Sequence, residues 1–351
     1  MHNHFRSIAK VALVTVYLVI IAGTVVRMTG SGMGCPDWPK CFGHYIPPTD
    51  ISELQWQEHK TFKKGEVIIR NESLWVATRS FVTSSNYDPE NWNPYTKHDY
   101  AVFNAAHTWT EFINRLFGAL AGLATLFMAI ASITYWKKMK LITILSWLVV
   151  FCMGFQAWLG AVVVYSVLEP VKITIHMVMA LVIVAMILYL IFRTKSPVKK
   201  RPYNKRTTQL LWLALFITLI QVILGTEVRQ FVDEQVKLVG ENAQNLWLQK
   251  PYLQFYIHRS FSILVVLLNL YIAYKIYKLG LGYDKINWVM FLILLAVLSG
   301  MAMYYLDFPY GTQPIHLVIA SLLFGVQFYL VLEGTSSITN PKDFREKPRL
   351  V

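Results

Sequence analysis

Four of the nine histidines stand in the first turns of long apolar segments, where a neutral imidazole is well suited to bind a metal. They are His107, His176, His258 and His316. An ionisable side chain inside a membrane-spanning helix is costly unless it is paired, so it indicates a functional site by default. Any one of them alone would fit a histidine in contact with interfacial water equally well. Four at equivalent places favour a shared role.

Two histidines on facing helices, surrounded by Phe, Met, Leu and Trp, are typical of a haem bound inside a helical bundle. Each half of the chain offers only two such histidines, whereas a bare zinc or copper ion would need a third or fourth ligand nearby. We therefore expect haem rather than a naked ion. In the second half the pair is His258 and His316, and the adjacent Arg259 is suited to a haem propionate. A snorkelling arginine is the alternative interpretation.

The first half differs from the second in a way that favours chemistry over storage. Asn114 stands where the second half has His258, and Glu111 lies three residues earlier on the same helical face. A carboxyl beside a haem must be neutral, paired with Arg115, or used for proton transfer. A purely structural ion pair between Glu111 and Arg115 is the alternative. His107 lies one turn further from Asn114 than Glu111 does.

The elements that position these residues are apolar segments long enough to span a bilayer. The composition is 55% hydrophobic and only 15% charged, against roughly 25% charged in soluble domains, which excludes a typical soluble enzyme, a disordered chain and a coiled coil. The first segment follows a basic start but is too long for a signal peptide, so we predict a span there. The predicted spans lie near residues 8 to 28, 104 to 135, 142 to 167, 172 to 192, 208 to 228, 253 to 277, 286 to 306 and 314 to 333.

The basic residues predict the orientation of these spans. More than half of the 33 Lys and Arg residues fall at the N-terminus, at the C-terminus and in alternate short loops, above all in 193 to 206. Because basic residues concentrate on the cytoplasmic side, both termini are predicted to be cytoplasmic. The net charge of +13 is thereby explained without a nucleic-acid partner.

Matching residues recur in the same order in the two halves. GTVVR at 23 to 27 returns as GTEVR at 225 to 229, and EFINR at 111 to 115 returns as FYIHR at 255 to 259. The separation of Gly160 from His176 equals that of Gly300 from His316, 16 residues in each case. The predicted fold class is therefore an all-α integral membrane protein whose eight transmembrane helices form two parallel-repeat four-helix bundles.

This repeat sets the predicted domain limits. The first outer loop is about 58 residues longer than its counterpart and rich in Trp, Asn and charge, which indicates a small external subdomain. The predicted segments are a first span at 1–30, an external loop subdomain at 31–100, a first four-helix half at 8–193, a cytoplasmic basic linker at 194–207, a second four-helix half at 208–333 and a cytoplasmic tail at 334–351. Of three cysteines, only Cys35 and Cys41 are placed to pair.

These residues resemble the haem A synthase family, membrane enzymes that convert haem O to haem A for cytochrome oxidase. The resemblance covers nearly the whole chain, and its most specific piece is GSGMGCPDWPKC within residues 30 to 41. It implies oxidation of a methyl group of haem O to an alcohol and then to a formyl, with water lost from a geminal diol.

The resemblance also implies a role for each site residue. His258 and His316 would bind the iron of a permanent haem b, and His176 would be an axial ligand of the substrate haem O. Glu111 stands at the position of the family's essential glutamate, and Arg115 would either anchor a propionate or keep Glu111 ionised. Cys35 and Cys41 resemble an external pair that can form a disulfide.

Two departures from the family pattern matter. The family commonly shows E-x-x-H-R, but this chain has Asn114 in place of the histidine, so one expected iron ligand is absent. His107 is a candidate substitute, but it lies about 10 Å away along an ideal helix. If it does not bind, the substrate iron is five-coordinate with an open face toward Asn114, which would suit oxygen activation. The second departure is that the segment 229 to 252 has none of the additional cysteines found in some family members.

Two rival classes make different predictions. A cytochrome b type dihaem electron carrier would have two equivalent bis-histidine sites, which Asn114 and Glu111 disfavour. A transporter would have matching Gly or Pro breaks, and Gly118 and Gly122 lack counterparts near 262 to 266. We expect a bacterial cytoplasmic membrane, since no Arg- and Ser-rich presequence precedes the first span. The expected partners are the lipid bilayer, a haem O synthase and an electron donor that the sequence does not identify, and a homo-oligomer stays open.

Overall fold

A computed structural model describes residues 2–195 and 201–336 of the 351-residue chain, and eight long helices dominate it. All eight are long and apolar enough to cross a membrane, which confirms the predicted helical class and number of spans. They are α1 His2–Met28, α2 Ala105–Ser132, α3 Lys140–Tyr165, α4 Pro170–Arg193, α5 Lys205–Val239, α6 Leu253–Lys278, α7 Ile286–Tyr305 and α8 Thr312–Thr335.

Helix α5 extends well past its predicted apolar segment. The prediction ended near residue 228, whereas the helix continues to Val239 and stops at Gly240, whose φ of 94° suits glycine. Arg229 pairs with Asp233 at 2.5 Å, and Gln230 donates to Glu234 at 3.0 Å. Such i,i+4 pairs stabilise the polar side of the extension. Its apolar side is short, with Val232 buried in a cluster with Trp247 and Phe308, so a span-length run of hydropathy could not reveal it.

The contacts divide the chain into two compact units. One contains Met1–Leu13, Phe127–Val149 and Ala180–Val351, and the other contains Val14–Leu126 and Val150–Met179. In the first unit α5 packs on α6 and α8, and α7 packs on α8 and α6. Its core includes Ile272, Val289 and Leu330, which are fully buried. The parallel orientation of the two repeats stays a prediction.

The loop between α1 and α2 contains short strands that the sequence did not predict. They are β1 Thr61–Phe62, β2 Val67–Arg70, β3 Ser73–Ala77, β4 Phe81–Val82 and β5 Trp92–Pro94. β1 pairs with β4, and β3 lies between β2 and β5, with every pair antiparallel. Asn71 and Glu72, with φ of 52° and 56°, form the two-residue turn between β2 and β3.

This loop has a hydrophobic core on each face of its three-stranded sheet. Val67 joins a cluster with Phe42 and Leu54, while the next residue, Ile68, joins another with Trp92. Successive side chains of a strand point to opposite faces, so β2 contributes to both cores. The strands β1 to β5 with these two cores are called the β subdomain below, and the external subdomain at 31–100 stays a prediction.

Gly34 lies directly against the first turn of α2. Its carbonyl accepts a hydrogen bond from Thr108 Oγ1 at 2.7 Å, and a β-carbon on Gly34 would lie 2.4 Å from the carbonyl oxygen of His107. No side chain fits at that distance without moving backbone. Glycine at this position therefore permits the close approach of the loop to α2.

We expect Gly34→Ala to lower the free energy of unfolding by about 1–3 kcal/mol, the usual cost of overpacking. The measurement is thermal unfolding of the purified protein in detergent. Gly118→Ala is the matched control on α2, because nothing lies within 4 Å of its added β-carbon. The control should be as stable as the wild type or more so. Equal stability of Gly34→Ala and the wild type would contradict the close packing described above.

Candidate functional site

Glu111 is buried on α2, and both of its carboxylate oxygens have partners. Only 4% of the surface of Glu111 is exposed to solvent. Oε2 accepts the backbone N–H of Cys35 at 2.7 Å, and Oε1 accepts Arg115 Nη2 at 2.5 Å. The spacing of four residues puts Glu111 and Arg115 on one helical face. The carboxylate of Glu111 is therefore fixed between α2 and the loop from Cys35 to Cys41, which we call the cysteine loop.

Arg115 is held by the same loop. Nη1 donates to the carbonyls of Asp37 at 3.0 Å and Lys40 at 2.9 Å, while Nη2 donates to the carbonyl of Cys35 at 3.1 Å in addition to Glu111. The two terminal nitrogens carry four N–H groups, so all four have acceptors. Of the two roles that the sequence left open, the geometry favours the partner of Glu111 over the propionate anchor.

The loop itself is closed by the disulfide between Cys35 and Cys41, as predicted. Inside it, Asp37 accepts the backbone N–H groups of Phe42 at 2.5 Å and Gly43 at 2.8 Å. Burial raises the pKa of Asp37, and these two hydrogen bonds oppose that rise. The disulfide, Asp37 and Arg115 together give the loop one conformation against Glu111.

We expect Arg115→Lys to loosen this loop, because an ammonium group keeps the charge but cannot reproduce the four-donor fork. The expected result is at least several-fold faster reduction of the Cys35–Cys41 disulfide by a thiol reductant, measured by alkylation and mass. Arg70→Lys serves as the control, since Arg70 stacks on Tyr87 at 3.5 Å in the β subdomain. Identical reduction rates in all three proteins would show that Arg115 does not hold the loop.

Three of the four candidate histidines share one packing arrangement, in which the imidazole lies against a glycine of the preceding helix. A glycine leaves space that any larger residue would fill with its own side chain. A β-carbon on the glycine would lie 3.1 Å from Cε1 of the ring for Gly225 and His258, 3.6 Å for Gly300 and His316, and 3.6 Å for Gly160 and His176.

Asn114 has the same kind of neighbour. A β-carbon on Gly23 would lie 3.8 Å from Asn114 Oδ1, and Gly23 matches Gly225 in the GTVVR and GTEVR segments. Asn114 thus occupies the place that His258 has in the second half. The His107 backbone N–H instead donates to Asn104 Oδ1 at 3.2 Å in the first turn of α2. Binding of iron by His107 stays a prediction.

Sequence reasoning missed three polar residues next to the histidines. Gln156 donates to the backbone carbonyl of His176 at 2.9 Å, and Gln221 donates to that of His258 at 3.1 Å. Each glutamine lies four residues before the contacting glycine, so the repeated Gln-x-x-x-Gly spacing was a signal that could have identified both. The third residue is Ser299, whose Oγ lies 2.9 Å from Nδ1 of His316.

The side chains of the second half fit a haem with two imidazole ligands. Nδ1 of His258 is buried and has no hydrogen-bond partner among the residues that the structure describes. Arg259 is exposed, and the contact found for its guanidinium is with the ring of Tyr304, 6.0 Å away. Its N–H groups can therefore donate to a propionate, unlike those of Arg115.

The fold and the site define a multi-pass membrane protein with histidine sites inside its helices. More specifically, the chain belongs to the COX15-CtaA family of cytochrome oxidase assembly proteins, whose pattern matches residues 6–81 and 87–328.

Curated relatives of the chain carry the name heme A synthase. The protein from Shewanella oneidensis is 26% identical over 221 residues, which are 62% of this chain and 54% of that protein. The proteins from Flavobacterium johnsoniae and Rickettsia prowazekii are 23% and 22% identical, and each alignment covers 90% of this chain and 93% of the relative. The chain thus spans about half the length of the first relative and nearly all of the other two.

Proposed function

We propose that this chain is a haem A synthase, which oxidises a methyl group of haem O to a formyl and so supplies haem A for cytochrome oxidase. Family membership over most of the chain and the names of full-length relatives support this activity. The structural observation that carries the proposal is the difference between two matched sites. The second half has Phe255 at the position where the first half has Glu111, which is buried and bonded through both carboxylate oxygens.

The second half would hold haem b as the resident cofactor. His258 and His316 would bind its iron, and Arg259 would donate to a propionate. Bound haem supplies electron transfer and oxygen chemistry. The residues of the chain would position it among the apolar helices of the second half.

The first half would hold haem O as the substrate. His176 would bind its iron from α4, with Gln156 holding the backbone of that histidine. Glu111 would accept a proton at its carboxylate near the reacting methyl group and pass it on, and Arg115 would keep the carboxylate in place and favour its charged form between transfers. Asn114 leaves its side of the site without an imidazole.

The test is to produce the chain together with a haem O synthase in a host that makes no haem A, then to extract the haems and identify them by mass. Haem A in these cells, and its absence from cells with the haem O synthase alone, is the expected result. Haem b without haem A in the purified protein would contradict the proposal and favour an electron carrier with two haems.

We also propose the setting of this activity. The basic residues of the short loops support cytoplasmic termini in a bacterial cytoplasmic membrane. Haem O is made elsewhere and is insoluble in water, so a haem O synthase in the same bilayer is the partner that this activity requires.

A further inference from the structure

Ser299 stands beside His316 on the neighbouring helix. Its Oγ lies 2.9 Å from Nδ1 of His316, 2.8 Å from the carbonyl oxygen of Leu295 and 3.1 Å from that of Ala296. A serine hydroxyl has one proton to donate. The two helix carbonyls can take that proton, which leaves the oxygen free to accept from the imidazole.

This arrangement selects one tautomer of His316. An imidazole that binds a metal through Nε2 must carry its proton on Nδ1, and that N–H needs an acceptor. Ser299 Oγ is such an acceptor, at hydrogen-bond distance, and the backbone of Ala296 also hydrogen-bonds to His316. The ring of His316 is therefore held in the form and direction that presents Nε2 as a ligand.

The first half has no serine at the position that matches Ser299. The residue that matches Ser299, immediately before the contacting glycine, is Leu159, which is buried and has no polar atom in its side chain. Nδ1 of His176 is buried and has no hydrogen-bond partner among the described residues. His176 and His316 thus both contact a glycine, but only His316 has a hydrogen-bond partner at Nδ1 among the described residues.

We infer that Ser299 is a positioning residue that makes the second-half site retain its haem, whereas Leu159 leaves the His176 site able to release one. This inference rests on the proposed function, in which one haem stays and the other leaves as product. Hydrogen bonding at Nδ1 increases the basicity of a ligating imidazole and strengthens its bond to the metal. A site that must release its haem after each turnover releases it faster when the ligating imidazole lacks that hydrogen bond at Nδ1.

The test compares Ser299→Ala with the wild type in the full-length, haem-loaded protein. Loss of an outer-shell partner of this kind costs about 10-fold or more in metal affinity, so haem b should pass to excess apomyoglobin roughly 10-fold faster. The midpoint potential of that haem should also rise, because a less basic imidazole stabilises ferric iron less. Ser299→Thr keeps a hydroxyl and should restore both values.

Ser262→Ala is the matched control. Ser262 also donates to the carbonyl three residues earlier, that of Arg259 at 2.6 Å, but among the residues that the structure describes no hydrogen bond joins it to a histidine. If Ser299→Ala and Ser262→Ala release haem b at the same rate and with the same potential as the wild type, the role of Ser299 is overturned.

The converse variant, Leu159→Ser, tests the first half. It should leave more haem A bound to the purified protein, measured relative to haem b. Unchanged retention would overturn the assignment for His176. Failure of the proposed function has a different signature, because a chain that makes no haem A would still show the effect of Ser299→Ala on haem b release.

Discussion

Glu111→Ala is expected to lower haem A formation by about 10²- to 10⁴-fold, the range for loss of a general acid or base, while haem b content stays unchanged. Both carboxylate oxygens of Glu111 are bonded, one to Cys35 N–H and one to Arg115, so the group is held in a single position. The measurement is the haem mass analysis of cells that also make haem O.

Glu111→Gln removes the negative charge of the side chain but keeps its size and shape, so it distinguishes the effect of the charge from that of the packing. Its amide oxygen can still accept Cys35 N–H, but its NH₂ group cannot accept from Arg115. We expect haem A formation to fall in this variant too. Glu90→Ala, which removes an exposed carboxylate of the β subdomain, is the control and should behave like the wild type. Normal haem A in Glu111→Ala would remove Glu111 from the reaction.

The second large effect is expected at His258 and His316. Either residue changed to alanine should abolish stable binding of haem b, because an axial ligand of its iron is lost. Haem b is measured in the purified protein from its absorption spectrum. Haem A should disappear as well, since the resident haem carries the electrons in the proposed reaction.

His176→Ala gives the contrasting pattern and so tests the division between the halves. Haem b should remain while haem A is lost. His4→Ala, at the exposed start of α1, is the control and should leave both haems. If His176→Ala loses haem b and His258→Ala keeps it, the two sites have been assigned to the wrong halves.

The helices were predictable from the sequence because burial in lipid requires long apolar runs, and such runs are visible without any tertiary information. The end of α5 was not, since it depends on the ion pair of Arg229 with Asp233 and on the packing of Val232 in a cluster with Trp247 and Phe308. The strands between α1 and α2 were also missed. Several have only two or three residues, too few for a periodic pattern to be recognised.

At the site, residue types were predictable but their partners were not. The disulfide between Cys35 and Cys41 was implied by the resemblance to a family with an external cysteine pair, whereas the role of Arg115 needed the positions of three loop carbonyls. Ser299 could not be recognised from the sequence because many helices contain serine. Only the distance from its Oγ to Nδ1 of His316 shows that it contacts a site histidine.

The glycine contacts have an evolutionary consequence. Gly23 already leaves open the space that an imidazole needs, since its counterpart Gly225 has a histidine ring against it. Asparagine and histidine codons differ by a single base, so a second ligand at position 114 is one point mutation away, with the surrounding scaffold in place. The first half is thus separated from the E-x-x-H-R pattern common in the family by the smallest step that mutation can take, and random mutagenesis of this chain would sample that pattern readily.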